Sequence, residues 1–372
     1  MHDRSLLGPA DVDDATLAAM VADLLGAPSV ELLGSTAERV AYDLPSITTV
    51  GRWWVSCSAR TATGVRDTRI FVKHVQAWRH SSFFALVPED MREMAETSVP
   101  WRTESCVYRS DLRDRLPDGL AMARALGVVD LEPEAAAVWL EDVTHPSLAW
   151  DLARYERAAY LLGRLAASPR VAPLADVGHF EWSVLHYVHG RLAGQVVPVL
   201  RSDDAWRQPV VAATFDAGLR DRLRAAAELA SAHTGELSGL PRATSHGDAS
   251  PNNLLPGATS DGFVLVDFGF WMPQAVGHDL GQLVAGEVQL GRRPPVDLPE
   301  LDAACVAAYT RGLAEEGLVV DEDVVRRAHA LQLLLFAGLS ALPDDPATTE
   351  ETAAGRAALA RLSLDLVEAT AR

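Results

Sequence analysis

The pattern of apolar and polar positions changes along the chain. In the first part, short apolar runs are separated by turn residues, and this pattern predicts an antiparallel sheet. Thr63 and Gly64 lie between two of these runs, and we expect them to form the turn of a hairpin. The predicted strands are Val30–Leu33, Val40–Tyr42, Arg52–Ser58, Arg69–Val75 and Ala135–Leu140.

Helical periodicity dominates from about Ser147 onward. Earlier in the chain, helices are predicted over residues 13–25 and from about Trp101 to Asp114. A strand-rich first part and a helix-rich second part favour an α+β fold with two lobes, residues 1–143 and residues 144–372. The predicted later helices are Leu148–Ala167, Asp203–Gly235, Leu298–Glu316, Asp321–Leu342 and Glu350–Ala371.

Composition and charge narrow the class of protein. The formal net charge is −18, and no cluster of Lys and Arg suggests nucleic-acid binding. The acidity either concentrates a cationic substrate or only keeps the protein soluble. The longest apolar run, Leu331–Leu342, is too short to cross a membrane, and no signal peptide is apparent. Because the three cysteines form no metal or disulfide pattern, we expect a reducing, cytoplasmic compartment. We also expect a monomer or a homodimer.

Residues 244–269 contain side chains that suit phosphoryl transfer. Asn253 follows Asp248 by five residues, and an apolar stretch leads into Asp267 of an Asp-Phe-Gly sequence. In this chemistry one aspartate accepts or orients the proton of the attacking hydroxyl, while an asparagine and a second aspartate hold Mg²⁺ against the ATP phosphates. We therefore expect Asp248 to be the base, and Asn253 and Asp267 to be the metal ligands. Order and spacing carry this interpretation, because an isolated Asp-Phe-Gly is often only a turn.

The same segment resembles the catalytic loop of the aminoglycoside phosphotransferase family, which is related to the choline kinases and the protein kinases. The resemblance rests on His246, Asp248, Asn253 and Asp267. It implies a two-lobed, protein-kinase-like fold, ATP or GTP as the donor, and a hydroxyl of a small molecule as the acceptor. It also implies structural roles for His246 and for Asp279, although Asp279 could equally cap the helix that follows it.

Lys73 lies in the middle of an apolar strand, where an unpaired ammonium group would be costly to bury. A kinase lysine in this context contacts the α- and β-phosphates of the nucleotide and pairs with a glutamate of the next helix. We expect Glu104 to be this partner, with Glu93 and Glu96 as rivals. The alternative interpretation is that Lys73 belongs to an edge strand and faces water.

The glycine-rich phosphate loop of protein kinases is absent from the sequence. Ser46 and Thr48, within residues 43–51, offer hydroxyl and backbone N–H groups to phosphates, unless this segment is an ordinary hydroxyl-rich turn. The family resemblance places the adenine near Glu141 and Val143, where backbone groups would bind it. A simple acidic turn describes the same residues equally well.

The residues after Asp267 argue against a protein substrate. Asp279 follows after only twelve residues, and no Ala-Pro-Glu sequence occurs, so there is little room for a peptide platform. We expect the acceptor to be an aminoglycoside or a related sugar-containing antibiotic, with a metabolite of the sugar, choline or homoserine type as the alternative. A third interpretation is a catalytically inactive kinase fold that binds a nucleotide or a partner, but the complete set of site residues argues against it.

No single residue stands out as an acceptor ligand. The carboxylates of Asp151 and Glu287 are candidates for pairing with substrate amines, but each also suits a solvated helix face. Trp182 and Trp271 are candidates for stacking on a sugar or nucleoside, although packing in the core is the commoner role of tryptophan.

Overall fold

Residues 2–41, 46–143, 149–181, 183–257, 261–343 and 345–371 are described in a computed structural model of the chain. They form two compact units. The first contains the described residues of Met1–Asp114, Met122–His145 and Val177–Phe180, and the second contains those of Arg115–Ala121, Pro146–Asp176 and Glu181–Arg372. The assignment of nucleotide binding to residues 1–143 and of acceptor binding to residues 144–372 stays a prediction.

Strands predominate in the first unit and helices in the second. The strands are β1 (His2–Asp3), β2 (Glu31–Arg39), β3 (Thr49–Thr61), β4 (Gly64–Gln76), β5 (Leu120–Met122), β6 (Ala125–Leu131), β7 (Ala135–Glu141), β8 (Arg242–Ser245), β9 (Leu254–Pro256), β10 (Phe263–Leu265) and β11 (Met272–Ala275). The α-helices are α1 (Asp14–Leu24), α2 (Arg92–Glu96), α3 (Thr103–Arg109), α4 (Leu152–Ala167), α5 (Val184–Tyr187), α6 (Val197–Arg201), α7 (Asp203–Arg207), α8 (Pro209–Thr214), α9 (Ala217–Glu228), α10 (Ala230–Ser238), α11 (His278–Gln289), α12 (Leu298–Glu315), α13 (Glu322–Leu333) and α14 (Glu350–Ala369). π-Helical segments span Val188–Val196 and Leu334–Gly338.

The sheet of the first unit has the strand order β1-β2-β3-β4-β7-β6. Its strands pair antiparallel from β2 onward, and β1 is parallel to β2. Side chains alternate between the two faces of the sheet, so Trp53, Val55 and Val72 pack with Leu17 of α1 in the core. The same alternation places Lys73 on the opposite face of β4. This combination of a small, mainly antiparallel sheet and a larger helical part confirms the predicted fold class.

The strands predicted in the centre of the sheet agree with β3, β4 and β7, whereas the two strands predicted before them are wrong. The predicted hairpin at Thr63 and Gly64 is confirmed as the turn between β3 and β4. Val30–Leu33 and Val40–Tyr42 were predicted as separate strands, but the structure has the single strand β2. Val40 lies just beyond it, and Tyr42 lies outside the described residues. The central residues of β2 include Gly34, Ser35 and Thr36, so the strand lacks the continuous apolar or alternating pattern from which a strand is predicted.

Several predicted helices are shorter or divided. The prediction for residues 101–114 contains only α3 as an α-helix, and the prediction for residues 203–235 is divided among α7, α8, α9 and α10. Pro209 begins α8 and Asp216 caps α9, so local capping chemistry ends one helix and begins the next. No helix among the described residues is long and apolar enough to span a membrane.

Candidate active site

Lys73 and Glu104 form a buried ion pair in the first unit. The Nζ of Lys73 lies 2.6 Å from the Oε2 of Glu104, and the two side chains are 5% and 4% exposed. Lys73 belongs to β4, which pairs with β3 on one side and β7 on the other. The edge-strand interpretation of Lys73 is therefore wrong. Of the rival glutamates, Glu96 lies 3.6 Å from Arg79 and Glu93 is exposed.

The other nucleotide-site candidates of the first unit lie at strand ends. Ser46 and Thr48 are half-buried and precede β3, while residues 43–45 of the same predicted loop lie outside the described residues. The carbonyl oxygen of Thr48 accepts a hydrogen bond of 2.8 Å from the N–H of Gln76. Glu141 ends β7, where its Oε1 accepts a 2.8 Å hydrogen bond from the N–H of Arg124. Val143 follows, half-buried and outside regular structure.

Two short antiparallel strand pairs of the second unit bring the predicted catalytic residues together. Strand β8 pairs with β11, and β9 pairs with β10. The predicted catalytic loop leaves β8 after Ser245 and enters β9 after Asn253, and Asp267 follows β10. Because the N–H of Val266 donates to the carbonyl of Asn253 over 3.1 Å, Asn253 lies beside the chain that leads into Asp267.

The carboxylate of Asp279 holds the catalytic loop in place by accepting hydrogen bonds. Its Oδ1 accepts hydrogen bonds of 2.8 Å from the Oγ of Ser245 and from the N–H of Gly247, and its Oδ2 accepts one of 2.9 Å from the N–H of His246. The residue at the N-cap of α11 is Gly277, without a side-chain cap, so Asp279 is not the cap of this helix. Ser245 is a loop residue that was not predicted, although its position directly before His-Gly-Asp is a usable signal.

His246 is completely buried, and its environment keeps the imidazole neutral. Burial lowers the pKa of His246, and this effect exceeds the opposing influence of Asp279 and Asp267. The Nε2 lies 3.1 Å from the carbonyl oxygen of Val266, which can only accept, so Nε2 carries the proton. The Nδ1 then accepts from the N–H of Asp248 over 3.4 Å. His246 thus connects the loop to the end of β10 without a free proton to transfer.

The carboxamide of Asn253 orients Asp248. The Nδ2 of Asn253 donates to the carbonyl oxygen of Asp248 over 2.8 Å and to its Oδ2 over 3.0 Å. Asn253 is 5% exposed, whereas Asp248 is half-buried. With Nδ2 directed at Asp248, the Oδ1 of Asn253 is the side-chain atom that could bind a cation, and in the structure it accepts a long hydrogen bond of 3.5 Å from the Nδ2 of Asn252.

Asp267 has the backbone conformation of a tight turn. Its φ is 65°, in the left-handed region that aspartate tolerates better than most residues. The next residue, Phe268, is buried with its ring centroid 5.1 Å from that of His246 and 5.8 Å from that of Trp271. The buried ring anchors the turn, and Asp267 remains half-buried.

The donor atoms of Asn253 and Asp267 fit magnesium. Mg²⁺ prefers oxygen ligands and is commonly held by one or two protein side chains together with phosphates and water. One carboxylate and one amide oxygen satisfy this preference. No group of three or more His, Cys, Asp or Glu among the described residues is arranged as a metal site.

The other acceptor-site candidates have structural positions. Trp271 is 1% exposed and donates from its Nε1 to the carbonyl of Leu174 over 2.9 Å, so it packs in the core. Asp151 caps α4 by accepting from the N–H of Arg154 over 2.9 Å. Glu287 is half-buried near Arg292, at 3.8 Å. Trp182 lies outside the described residues.

Comparison with solved structures finds similar chains at low sequence identity. An aminoglycoside phosphotransferase from Alicyclobacillus acidocaldarius has a TM-score of 0.49 and 16% identity, over 89% of this chain and 90% of that chain. An amicoumacin kinase in complex with AMP-PNP, Ca²⁺ and Ami has a TM-score of 0.48 and 11% identity, over 88% of each chain. A Plasmodium vivax ethanolamine kinase has a TM-score of 0.42 and 11% identity, over 92% of this chain and 82% of that chain.

Comparison by sequence is more specific. No curated protein sequence matches the chain. The model of the phosphotransferase enzyme family, APH, matches residues 122–318, which is just over half of the chain. The matched range contains Asp248, Asn253, Asp267 and Asp279.

Proposed function

We propose, from the premise that this chain belongs to the phosphotransferase enzyme family and is a small-molecule kinase, that it transfers the γ-phosphoryl group of ATP to a hydroxyl of its acceptor. The observation that carries the proposal is the placement of Asp248. Its carboxylate is half-buried and accepts a hydrogen bond from Asn253, and its backbone N–H donates to neutral His246. A carboxylate held in this way is suited to orient a hydroxyl and to accept its proton.

In the proposed step, the acceptor oxygen forms a bond to the γ-phosphorus while the bond from that phosphorus to the β,γ-bridging oxygen breaks. ADP leaves with the bridging oxygen, and the hydroxyl proton passes to a carboxylate oxygen of Asp248. Lys73, fixed by Glu104, contacts the α- and β-phosphates. These residues contribute by positioning the reactants and stabilising charge, because the protein forms no covalent intermediate.

The proposed metal site consists of Asn253 and Asp267. Mg²⁺ bound there supplies positive charge to the phosphates. Asn253 presents its Oδ1 because its Nδ2 is directed at Asp248, and Asp267 presents its carboxylate from the turn after β10. ATP is the proposed donor, with GTP as the alternative.

For the acceptor we propose an aminoglycoside or a related sugar-containing compound. The negative net charge of −18 supports a cationic compound of this class by raising its concentration near the protein. A hydroxylated primary metabolite is the alternative, and the acceptor panel below distinguishes them.

The decisive experiment measures Mg²⁺-dependent formation of ADP and of phosphorylated product with aminoglycosides, neutral glycosides, choline, ethanolamine and homoserine. Asp248→Asn should lower kcat by several powers of ten and leave nucleotide affinity close to that of the wild type. Asp267→Asn should instead weaken Mg-ATP binding. Near-wild-type turnover by the Asp248 variant would remove the proposed base, and unchanged affinity for Mg-ATP in the Asp267 variant would remove the proposed metal ligand.

A further inference from the structure

A short segment of the chain, Val177–Phe180, belongs to the first unit, although the residues before and after it in the sequence belong to the second. It lies outside regular helices and strands. Within it, His179 has a φ of 47°, in the left-handed region that residues with a side chain rarely occupy. Such a conformation persists where the surrounding structure determines it, so the contacts of this segment decide its position.

Gly178 of this segment lies against Thr103, the first residue of α3. A Cβ atom added at Gly178 would lie 2.6 Å from the Oγ1, 2.9 Å from the Cγ2 and 3.0 Å from the Cβ of Thr103. Because non-bonded carbon atoms pack best at about 3.5–4.0 Å, the side chain of Thr103 leaves no room for one at position 178. The φ of Gly178 is outside the left-handed region, so lack of space, and not backbone conformation, excludes a side chain here.

Thr103 is held in place by packing. It is 1% exposed, and its Oγ1 has no hydrogen-bond partner among the described residues. Rotation of its side chain would move the Oγ1 and the Cγ2 but not the Cβ, which is fixed to the backbone of α3. A side chain at position 178 is therefore accommodated only by a shift of α3 or of the segment that contacts it.

The chain just before Gly178 is anchored within the second unit. The carbonyl oxygen of Leu174 accepts a hydrogen bond of 2.9 Å from the Nε1 of Trp271. The ring of Trp271 in turn packs on that of Phe268, the buried residue after Asp267, with centroids 5.8 Å apart. Only residues 175–177 separate this anchor from Gly178, so the segment has little freedom to move away from α3.

We infer that Gly178 is a positioning residue for the ion pair of Lys73 and Glu104. The inference rests on the proposed function, in which Lys73 contacts the α- and β-phosphates. Glu104 follows Thr103 directly in α3, and its Oε2 lies 2.6 Å from the Nζ of Lys73. A shift of the first turn of α3 changes this distance. The absence of a side chain at Gly178 allows the segment to hold α3 where Glu104 reaches Lys73.

The test uses Gly178→Ala in the full chain. Calorimetric titration gives the Kd for AMP-PNP with Mg²⁺, and steady-state kinetics give kcat and the KM values for ATP and the acceptor. We expect the Kd and the KM for ATP to rise about three- to tenfold, with kcat and the acceptor KM changed less than about twofold. A merely structural defect would instead lower kcat through loss of folded enzyme and leave the KM for ATP unchanged.

Two further variants isolate the contact. Thr103→Ala removes the Oγ1 and the Cγ2, so the double variant Gly178→Ala with Thr103→Ala should have a Kd within about twofold of that of Thr103→Ala alone. The matched control is Gly338→Ala, where the added Cβ atom would lie 2.1 Å from the Oγ and 3.1 Å from the Cβ of Ser363, within the second unit. It should lower the unfolding temperature and leave the Kd for the nucleotide at the wild-type value.

The outcomes separate this inference from the proposed function. Absence of both nucleotide binding and phosphoryl transfer in the wild type would overturn the proposed function itself. Nucleotide binding by the wild type with an unaltered Kd in Gly178→Ala would overturn the positioning role and leave the kinase assignment intact. A raised Kd that Thr103→Ala does not reverse, or an equal rise in Gly338→Ala, would also overturn that role. If Gly178→Ala does not fold, the double variant decides: binding close to that of Thr103→Ala supports the inference, and failure to fold overturns it.

Discussion

The Nζ of Lys73 lies 2.6 Å from the Oε2 of Glu104, and both side chains are almost completely buried. One residue comes from an interior strand and the other from α3, so the pair joins the sheet to the helix within the first unit. Each charge stabilises the other, because burying a charge is costly and removing one member of a buried ion pair takes away its partner's compensation. The ion pair is therefore important to folding as well as to the proposed phosphate contact.

Glu104→Gln should impair both stability and nucleotide binding. It removes the negative charge that Glu104 places beside the buried Lys73 ammonium group, and we expect the free energy of unfolding to fall by about 3 kcal/mol. The KM for ATP should rise at least about tenfold, since a lysine that is no longer held in place contacts the phosphates less well. Chemical denaturation and ATP titration measure the two effects.

The double variant Lys73→Met with Glu104→Leu provides the control. Two apolar side chains of similar volume should restore most of the lost stability without restoring activity. A single Glu104→Gln variant with wild-type unfolding and wild-type KM for ATP would contradict both roles of the pair.

The sequence was sufficient for the parts of the structure that local chemistry determines. Apolar runs separated by turn residues located β3 and β4, and the acidic and amide residues within 244–269 marked a site that two antiparallel strand pairs then assemble. The Lys73–Glu104 contact depends on where α3 packs, which no local pattern encodes, and Glu104 was predicted as the partner only through the resemblance to kinases. The same holds for Tyr187 and Phe336, which are far apart in the chain but have ring centroids 4.4 Å apart in the structure.

Asp279→Asn should misplace the catalytic loop while leaving its chemical groups intact. The carboxylate accepts hydrogen bonds from Ser245, His246 and Gly247, and an asparagine would direct an NH₂ group at one of these donors. We expect kcat to fall at least about tenfold and the free energy of unfolding to fall by about 1–3 kcal/mol. Turnover and denaturation measured on the same preparation test this expectation.

A matched aspartate lies at the N-cap of α13. Asp321 caps that helix by accepting from the N–H of Asp323 over 2.9 Å, and asparagine is an equally good cap. Asp321→Asn should therefore behave as the wild type. If Asp279→Asn did so too, the hydrogen bonds to the loop would not be needed to position Asp248.

Stability should decrease below neutral pH because of buried histidines. Burial lowers the pKa of His74, and it also lowers the pKa of His246. Such a residue binds fewer protons in the folded state than in the unfolded state, so its contribution to stability is complete above pH about 6.5 and is lost as the pH falls through the lowered pKa. Carboxylates whose pKa is lowered in the folded state, such as Asp216, reduce the stability of the protein only when the pH falls below about 4.

Unfolding midpoints measured between about pH 8 and pH 5 test this effect. The wild type should lose stability progressively below pH about 6.5, and His74→Gln should show a shallower decrease because burial is the cause of its shift. His74 lies outside the proposed catalytic set, so the variant remains active enough to verify folding. A flat wild-type profile across this range would contradict the neutral, buried state assigned to these histidines.

Gly247→Ala should disrupt the catalytic loop for two independent reasons. Its φ of 83° is strained for a residue with a side chain, and an added Cβ atom would lie 2.0 Å from the carbonyl oxygen of Phe270. Relief of this contact must displace either the loop before Asp248 or the turn after Asp267, so kcat should fall at least about a hundredfold. The control is Gly281→Ala in α11, where no atom lies within 4 Å of the new Cβ and alanine favours the helix. Thermal unfolding and turnover should show a loss for the first variant and none for the second, and equal behaviour of the two would show that the loop tolerates the displacement.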